Sequence, residues 1–153
     1  MLHVSAATDR SEGLSNFPLF RSLDDEALFV VGQGCTRRSY RRDDWIVPLN
    51  EINTDVFFIQ SGSVRLQMQK SPSREVIFRD YKARDFFGAV STIHGQPRKA
   101  GILALTDVTV TRMPGELFHE LLHANPDICD QLLHRMAGEI QRLVNRVNEF
   151  SML

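Results

Sequence analysis

The stretch that decides the fold is FFGAVSTIHGQPRKAG, residues 86–101. Gly88 and Ala89 are small, so backbone N–H groups in this segment can approach a ligand closely. Arg98 follows Pro97, whose ring restricts the backbone, and offers a guanidinium suited to a phosphate or carboxylate. The stretch therefore predicts a strand-to-strand connection that binds a small anion. A surface loop with a solvated arginine would have the same composition.

Short strand-like segments surround this connection. They are rich in β-branched and aromatic residues and are separated by Gly, Pro, Ser or Asn. In one of them Val64, Leu66 and Met68 alternate with polar residues, as in a strand with one dry face. The segments are DWIVP (44–48), DVFFIQ (55–60), VRLQMQ (64–69), EVIFRD (75–80), AGILAL (100–105) and VTVTRM (108–113). Their close spacing predicts an antiparallel sandwich or barrel.

The N-terminal part combines a polar segment with a short helix. Residues 1–16 are polar and aperiodic, and we expect them to form a loose arm. A helix is predicted next, with Ser22 as its cap, acids at 24–26 in its first turn, and Gly32 or Gly34 at its end.

The C-terminal part is helical. Pro114 suits a first helical turn, and Asn125 with Pro126 ends that helix and starts another. The last helix carries apolar residues at alternating spacings of three and four: Leu133, Met136, Ile140, Leu143, Val147 and Phe150. This heptad pattern predicts a homodimer through the helix, because the other faces are strongly polar. The alternative is a helix packed on its own barrel.

Length and charge narrow the class of protein. The 153 residues suit one domain, and 18 basic against 19 acidic residues give no sign of a nucleic acid or anionic membrane partner. Cys35 and Cys129 are far apart, so no disulfide framework or cysteine-rich metal site is indicated. No apolar run reaches the length of a membrane span. We expect a cytoplasmic protein without a membrane partner.

The order of elements resembles the cyclic-nucleotide-binding sensor domain of the Crp/Fnr transcription regulators, from about Phe17 to the chain end. VFFIQSGSVRLQ (56–67) is similar to a hairpin of that family, and LTDVTVTRMPGELFHELLHANPDI (105–128) to its last strands and following helices. The resemblance implies an α+β, mainly β fold: an antiparallel β-roll, jelly-roll-like, flanked by short helices, with a long C-terminal dimerisation helix. The implied divisions are an arm at 1–16, the β-roll at 17–126 and the dimerisation helix at 127–153, with the DNA-binding domain absent from this chain.

The resemblance also implies the ligand-binding residues. They are Phe87, Gly88, Ala89, Val90, Ser91, Pro97, Arg98, Lys99, Ala100, Leu143 and Val144. Arg98 corresponds to the arginine that pairs with the cyclic phosphate, but Ala89 stands where the family has a glutamate for the ribose hydroxyl. Leu143 and Val144 stand where hydroxyl groups would meet the base. We therefore expect cyclic AMP to bind weakly or not at all, and the pocket to take another small anionic ligand or none.

Three positions of the roll depart from the family's glycines. They are Asp43, Asn50 and Arg84, and asparagine tolerates a left-handed turn best.

The function implied is effector sensing in a Crp/Fnr-like regulator, with no catalysis, a small-molecule effector, and DNA contacts only through a domain not present here. A stand-alone or ligand-free regulatory module is the alternative. HELLH (119–123) matches a zinc hydrolase pattern, but His119 and His123 fall opposite the apolar side of their helix, so we expect both to face water. A haem sensor would need an axial histidine, for which His94 is the candidate. An iron–sulfur sensor is disfavoured because the N-terminal arm has no cysteine. We expect no metal.

Overall fold

The computed structural model describes residues 3–4, 10–49, 51–71, 74–96 and 100–151. The strands within these residues are β1 (His3–Val4), β2 (Thr36–Tyr40), β3 (Trp45–Val47), β4 (Val56–Ser61), β5 (Ser63–Ser71), β6 (Arg74–Lys82), β7 (Phe86–Phe87), β8 (Gly101–Ala104) and β9 (Val108–Met113). The helices are α1 (Arg10–Ser15), α2 (Asp25–Gln33), α3 (Ala89–His94), α4 (Gly115–Ala124) and α5 (Pro126–Ser151), with a 3-10 turn at Pro18–Phe20. This arrangement confirms the predicted fold class.

The described strands form two antiparallel sheets, ordered β1-β2-β9-β4-β7 and β3-β8-β5-β6. Strand β4 shows how they pack, because Val56 through Ile59 are all fully buried. Side chains alternate along a strand, so Val56 and Phe58 contact the helices while Phe57 and Ile59 face the second sheet. The five-stranded sheet is therefore covered on both faces.

The core on the helical side is built around Phe58. The rings of Phe17, Phe20 and Phe86 lie 5.2, 5.1 and 5.3 Å from its ring. Helix α5 adds Ile128, which is fully buried in the same cluster. Burying one such side chain contributes about 1.5–3 kcal/mol, so this cluster fixes the base of α5 against the roll.

The described residues of the N-terminal segment form regular structure, which the sequence did not predict. Strand β1 pairs with β2, and α1 places Leu14 in the helical-side core with no exposed surface. The expectation of a loose arm over residues 1–16 is therefore wrong for the part that the structure describes. One apolar residue among polar neighbours gives no periodic signal, so its burial cannot be read from the pattern.

Helix α2 begins later than predicted. Its N-cap is Asp24 rather than Ser22, and the Asp24 carboxylate accepts a hydrogen bond from the Ala27 N–H at 2.8 Å. A carboxylate is at least as good a cap as a hydroxyl and also complements the helix dipole. Gly34 ends the helix, as one of the two predicted stops.

Two turns of the roll hold non-glycine residues in left-handed backbone. Asp43 has φ 72° and Arg84 has φ 77°, at positions where the resemblance implies glycine. Asn50, the third such position, lies outside the described residues. The left-handed conformation costs a non-glycine residue about 1–2 kcal/mol. Backbone hydrogen bonds stabilise both turns, from Asp43 N–H to the Ala104 carbonyl (2.8 Å) and from Arg84 N–H to the Ile59 carbonyl (3.0 Å).

The boundary between the last two helices is where the sequence predicts it. Helix α4 ends before Asn125 and α5 starts at Pro126. Ile128 and Leu132 of α5 are buried, Met136 packs against the same cluster, and the turns beyond Met136 leave the helical-side core. Within the described residues, no helix combines the length and apolar character needed to cross a membrane.

Candidate functional site

A cavity of about 490 Å³ lies between the β-roll and helix α5. Strands β5, β6, β7 and β8 supply one wall, which we call the sheet wall. Residues 135–143 of α5 supply the opposite one, which we call the helix wall. The start of α3 also lines the cavity. The volume falls within the range of pockets that enclose a small molecule, about 300–1,000 Å³.

The cavity brings together most of the predicted ligand-binding residues. Those that line it are Phe87, Gly88, Ala89, Val90, Ser91, Ala100 and Leu143. Val144 is not among the lining residues and is 53% exposed, because one residue along a helix turns the side chain by about 100°. Pro97, Arg98 and Lys99 lie outside the described residues, so the role of Arg98 stays a prediction.

The turn from β7 into α3 is held from two sides. Gly88 has φ 100°, a conformation that favours glycine, and precedes the helix. The Thr92 hydroxyl lies within hydrogen-bonding distance of the Gly88 carbonyl (2.9 Å) and of the Thr54 carbonyl. His119 Nε2 donates to the Thr92 carbonyl at 2.9 Å. These contacts fix the backbone that lines this part of the cavity.

Ala89 is a cavity position that departs from the family pattern. It is 4% exposed and lines the cavity, so a side chain here would face any occupant. A methyl group offers no acceptor to a ribose hydroxyl, and an unmade hydrogen bond of this kind costs about 1–3 kcal/mol. Leu143 on the opposite wall likewise offers no hydroxyl. These two positions therefore present hydrocarbon where the family pattern has polar groups.

Helix α5 is tied to strand β6 by a charged cluster. Glu139 forms an ion pair with Arg79 of β6 and accepts a hydrogen bond from Arg142 Nη2 at 2.8 Å. One turn later, Arg146 donates to the carbonyls of Ile77 (3.1 Å) and Phe78 (2.9 Å). The helix wall is thus positioned by polar contacts beyond the point where α5 leaves the core.

The surroundings of these groups shift their pKa values. Burial of the Glu139 carboxyl favours the neutral form, but the Arg142 hydrogen bond and the Arg79 charge outweigh it and lower its pKa. Burial also lowers the pKa of the Arg135 guanidinium, with Asp85 acting against that shift. Burial raises the pKa of the Tyr81 phenol. The described part of the cavity therefore contains two arginines, Arg79 and Arg135, and one ionised acid, Glu139.

Sequence reasoning missed these charged residues. Arg79 and Glu139 are 60 positions apart in the sequence, so no local sequence pattern predicts that they form an ion pair. A weaker signal was present, since Arg135, Glu139 and Arg142 are spaced by four and three and so share one helical face. Arg135 and Glu139 of that face line the cavity together with residues of the adjacent apolar seam.

The HELLH histidines do not form a metal site with other described residues. His119 is partly buried and bonded to the Thr92 carbonyl, so the expectation that it faces water is wrong. His123 is exposed, as expected. The described residues contain no group of three or more His, Cys, Asp or Glu placed to hold a metal ion. His94, the haem candidate, is exposed at the end of α3 and does not line the cavity.

The predicted apolar seam of α5 is buried in some places and exposed in others. Met136 and Leu143 are partly buried and line the cavity, and Ile140 lines it as well although it is 61% exposed. The residues that are more than half exposed form what we call the exposed stripe: Leu133, Ile140, Val144, Val147 and Phe150. The stripe therefore differs from the predicted seam by lacking Met136 and Leu143 and including Val144.

Comparison with known proteins agrees with this geometry. Residues 37–125 match the family model of the cyclic nucleotide-binding domain. The chain is 29% identical over 135 residues to an uncharacterized NTE family protein of Mycobacterium tuberculosis, a match covering 88% of this chain and 22% of that protein. It is 26% identical over 120 residues to the cAMP-activated global transcriptional regulator CRP of Escherichia coli O157:H7, covering 78% of this chain and 57% of that protein. The chain thus spans about a fifth to just over half of these relatives.

Solved structures share the fold. The catabolite activator protein of Thermus thermophilus matches with a TM-score of 0.75 at 21% identity, covering 88% of this chain and 63% of that one. The sensor domain of the transcriptional regulator DNR from Pseudomonas aeruginosa matches with a TM-score of 0.76 at 15% identity, covering 88% and 91%. At these identities the likeness is one of fold.

Proposed function

Because the chain belongs to the cyclic nucleotide-binding domain family, we propose that it is an effector-sensing regulatory domain without catalytic activity of its own. A small anionic molecule binds in the cavity between the sheet wall and the helix wall. The observation that carries this proposal is the position of α5: residues 135–143 line the cavity, and the exposed stripe runs along the same helix, sharing Ile140 with the cavity lining. An occupant that contacts α5 thereby acts on a surface that is open to partners.

Cyclic AMP is a poor fit for this cavity. Ala89 leaves the ribose hydroxyls without a carboxylate partner, and Leu143 offers no hydroxyl to a base. Arg98, assigned from the sequence as the phosphate contact, would supply attraction for any anion and does not select the nucleotide. The proposed effector is therefore a small anion for which the ribose contacts are unnecessary.

Titration calorimetry with cyclic AMP on the wild type and on Ala89→Glu tests this assignment. We expect weak or undetectable binding by the wild type and an improvement of about ten- to a hundredfold on substitution, because a missing hydrogen bond of about 1–3 kcal/mol is restored. Ala89→Gln is the matched control, since it has similar size without the charge and should gain less. Submicromolar binding of cyclic AMP by the wild type would contradict the assignment.

A parallel homodimer through α5 is the proposed mode of assembly. Its support is the exposed stripe, where five large apolar side chains lie on one side of a helix with strongly polar neighbours. The stripe is too short to associate firmly as an isolated helix, so we expect the β-rolls to contribute to the dimer.

Two kinds of longer protein are candidates to contain this domain, and a stand-alone module is the alternative. The match to the regulator CRP favours a Crp/Fnr-like transcription regulator, in which DNA contacts are made outside this chain. The match to the NTE family protein covers more of this chain at higher identity and favours a sensing domain of a protein of that kind. Sequencing the reading frame beyond the codon for Leu153 distinguishes them: a helix-turn-helix segment supports the first, and a continuation similar to the NTE family proteins supports the second.

A further inference from the structure

Among the charged side chains that line the cavity, Arg135 has the fewest hydrogen-bond partners in the described residues. Its guanidinium lies over the Phe86 ring, 4.0 Å from the ring centre, and its nearest acid is Asp85, with 3.6 Å between Nη2 and Oδ1. That distance exceeds a good hydrogen bond, which is about 2.7–3.2 Å. The other Asp85 oxygen accepts from the Lys82 N–H at 3.1 Å, so this carboxylate is shared with a turn.

The other cavity arginine is already paired. Arg79 forms its ion pair with Glu139 and lies over the Tyr81 ring at 4.8 Å. Arg142, which neighbours the helix wall, also donates to Glu139. Arg135 by contrast has five N–H donors and, in the part of the chain that is described, no direct hydrogen-bond acceptor for them. Its side chain is only 36% exposed, so an anion brought into the cavity would meet a partly desolvated positive charge.

The remaining surface that faces the occupant is mostly hydrocarbon. Leu66, Met68 and Ile102 line the sheet wall, and Ile140 and Leu143 line the helix wall. A ligand rich in hydroxyl groups would lose hydrogen bonds to water when it packs against these side chains. Each hydroxyl group left without a hydrogen-bond partner would then weaken binding. An apolar body would gain about 25 cal/mol for each Å² removed from water.

We propose that the cavity binds a hydrocarbon carboxylate, with the carboxylate paired to Arg135 and the apolar body held between the sheet wall and the helix wall. The inference rests on the proposed function, because it assigns the ligand class of the same cavity. This ligand class explains three observations: Arg135 lacks a direct hydrogen-bond acceptor in the described residues, the lining is mostly apolar, and position 89 carries no carboxylate.

Titration calorimetry with matched pairs of probes tests the inference. Decanoate and decanol have the same chain length and differ in charge, and 2-naphthoate and 2-naphthol form the aromatic pair. We expect at least one carboxylate to bind at least about tenfold more tightly than its neutral partner, as a charge-assisted bond to arginine provides. The pair that shows the difference indicates whether the hydrocarbon part of the ligand is aliphatic or aromatic.

Variants of Arg135 test whether its guanidinium is the positive charge that binds the carboxylate. Arg135→Gln should weaken carboxylate binding about tenfold, to the level of the neutral probe, and leave the neutral probe unchanged. Arg135→Lys keeps the charge and should retain a measurable preference for the carboxylate. Arg42→Gln, at an exposed arginine that does not line the cavity, should change neither affinity. Circular dichroism checks that each variant is folded.

The same titrations, extended to cyclic AMP and inorganic phosphate, separate this inference from the proposed function. Binding of cyclic AMP or phosphate without either carboxylate would overturn the inference and leave an effector site in place. Equal binding of charged and neutral probes, or an unchanged preference in Arg135→Gln, would also overturn it. If no probe of any class binds, both the inference and the effector site lose their support.

Discussion

The two walls of the cavity are held by different interactions. In the sheet wall Phe87 is nearly fully buried and stacks on the fully buried Phe57 at 4.9 Å. In the helix wall, Glu139 is held by ion pairs, and Arg146 follows with hydrogen bonds to backbone carbonyls. A close-packed core resists displacement, whereas partly exposed ion pairs contribute about 1 kcal/mol or less each. We therefore expect the helix wall, rather than the sheet wall, to shift when a ligand binds.

Removing an aromatic ring from the core behind the sheet wall should have the largest effect. We expect Phe57→Ala to lower the free energy of unfolding by about 3–5 kcal/mol, because Phe57 has no exposed surface and a cavity would remain. Chemical denaturation measures the loss. Ile52→Ala, at a residue 74% exposed, is the control and should change stability by no more than about 0.5 kcal/mol. Similar losses in both variants would mean that the sheet wall is not a rigid core.

Charges on the outer face of the helix wall should have the next largest effect, on assembly. Val144→Lys with Val147→Lys places two charges in the exposed stripe without touching the cavity. Each buried valine contributes about 1.5–3 kcal/mol, so the double variant should sediment as a monomer where the wild type is a dimer. The control is Asn145→Lys with Glu149→Gln, which adds the same charge on a different face of α5 and should leave the dimer intact. A dimer that survives the first change has its interface elsewhere.

Breaking the ion pair of the helix wall should have a smaller and local effect. Glu139→Gln leaves Arg79 and Arg142 without their carboxylate, and we expect a loss of about 1–2 kcal/mol in the protection of residues 135–147 from amide hydrogen exchange. Strand β4 should be unaffected. Glu120→Gln, at an exposed acid of α4, is the control. Equal loosening of β4 would show that the two walls are not independent.

The same ion pair predicts a dependence on pH. Because the folded-state pKa of Glu139 lies below its ordinary value of 4.5, the carboxylate stabilises the helix wall above about pH 4.5. That stabilisation is lost as the pH falls through the lowered folded-state pKa. The protection factors of residues 135–147, which are corrected for the intrinsic exchange rate at each pH, should therefore fall at acid pH in the wild type and fall less in Glu139→Gln. An identical acid response in the two proteins would show that another group controls it.

The two walls also differ in how far sequence reasoning reaches. The sheet wall could be predicted from the sequence, because alternating strands and the small residues of the turn at Gly88 are local patterns. The left-handed turns at Asp43 and Arg84 also fall where the family has glycine. The break between α4 and α5 was equally local. Even so, Gln67 is buried where alternation predicted an exposed residue, since the register shifts between Leu66 and Gln67.

The arrangement of the helix wall could not be predicted from the sequence in the same way. The heptad spacing predicted one apolar seam, but the packing of α5 on the roll turns Met136 and Leu143 inward and leaves Val144 outside. The pairing of Arg79 with Glu139 and the contact of Arg135 with Phe86 join distant segments, which no window along the chain contains. These are tertiary contacts, and they decide which chemistry the cavity offers.

Amide hydrogen exchange of helix α5, followed with and without decanoate, measures whether the occupant of the cavity acts on the helix wall. At a decanoate concentration about ten times its calorimetric Kd, opening of residues 135–143 away from the occupied cavity should be suppressed about tenfold. Exchange in strand β4 should stay the same, because we expect the close-packed sheet wall to keep its position. Unchanged exchange in residues 135–143, at a concentration that calorimetry shows to fill the cavity, would contradict a sensing role for this helix.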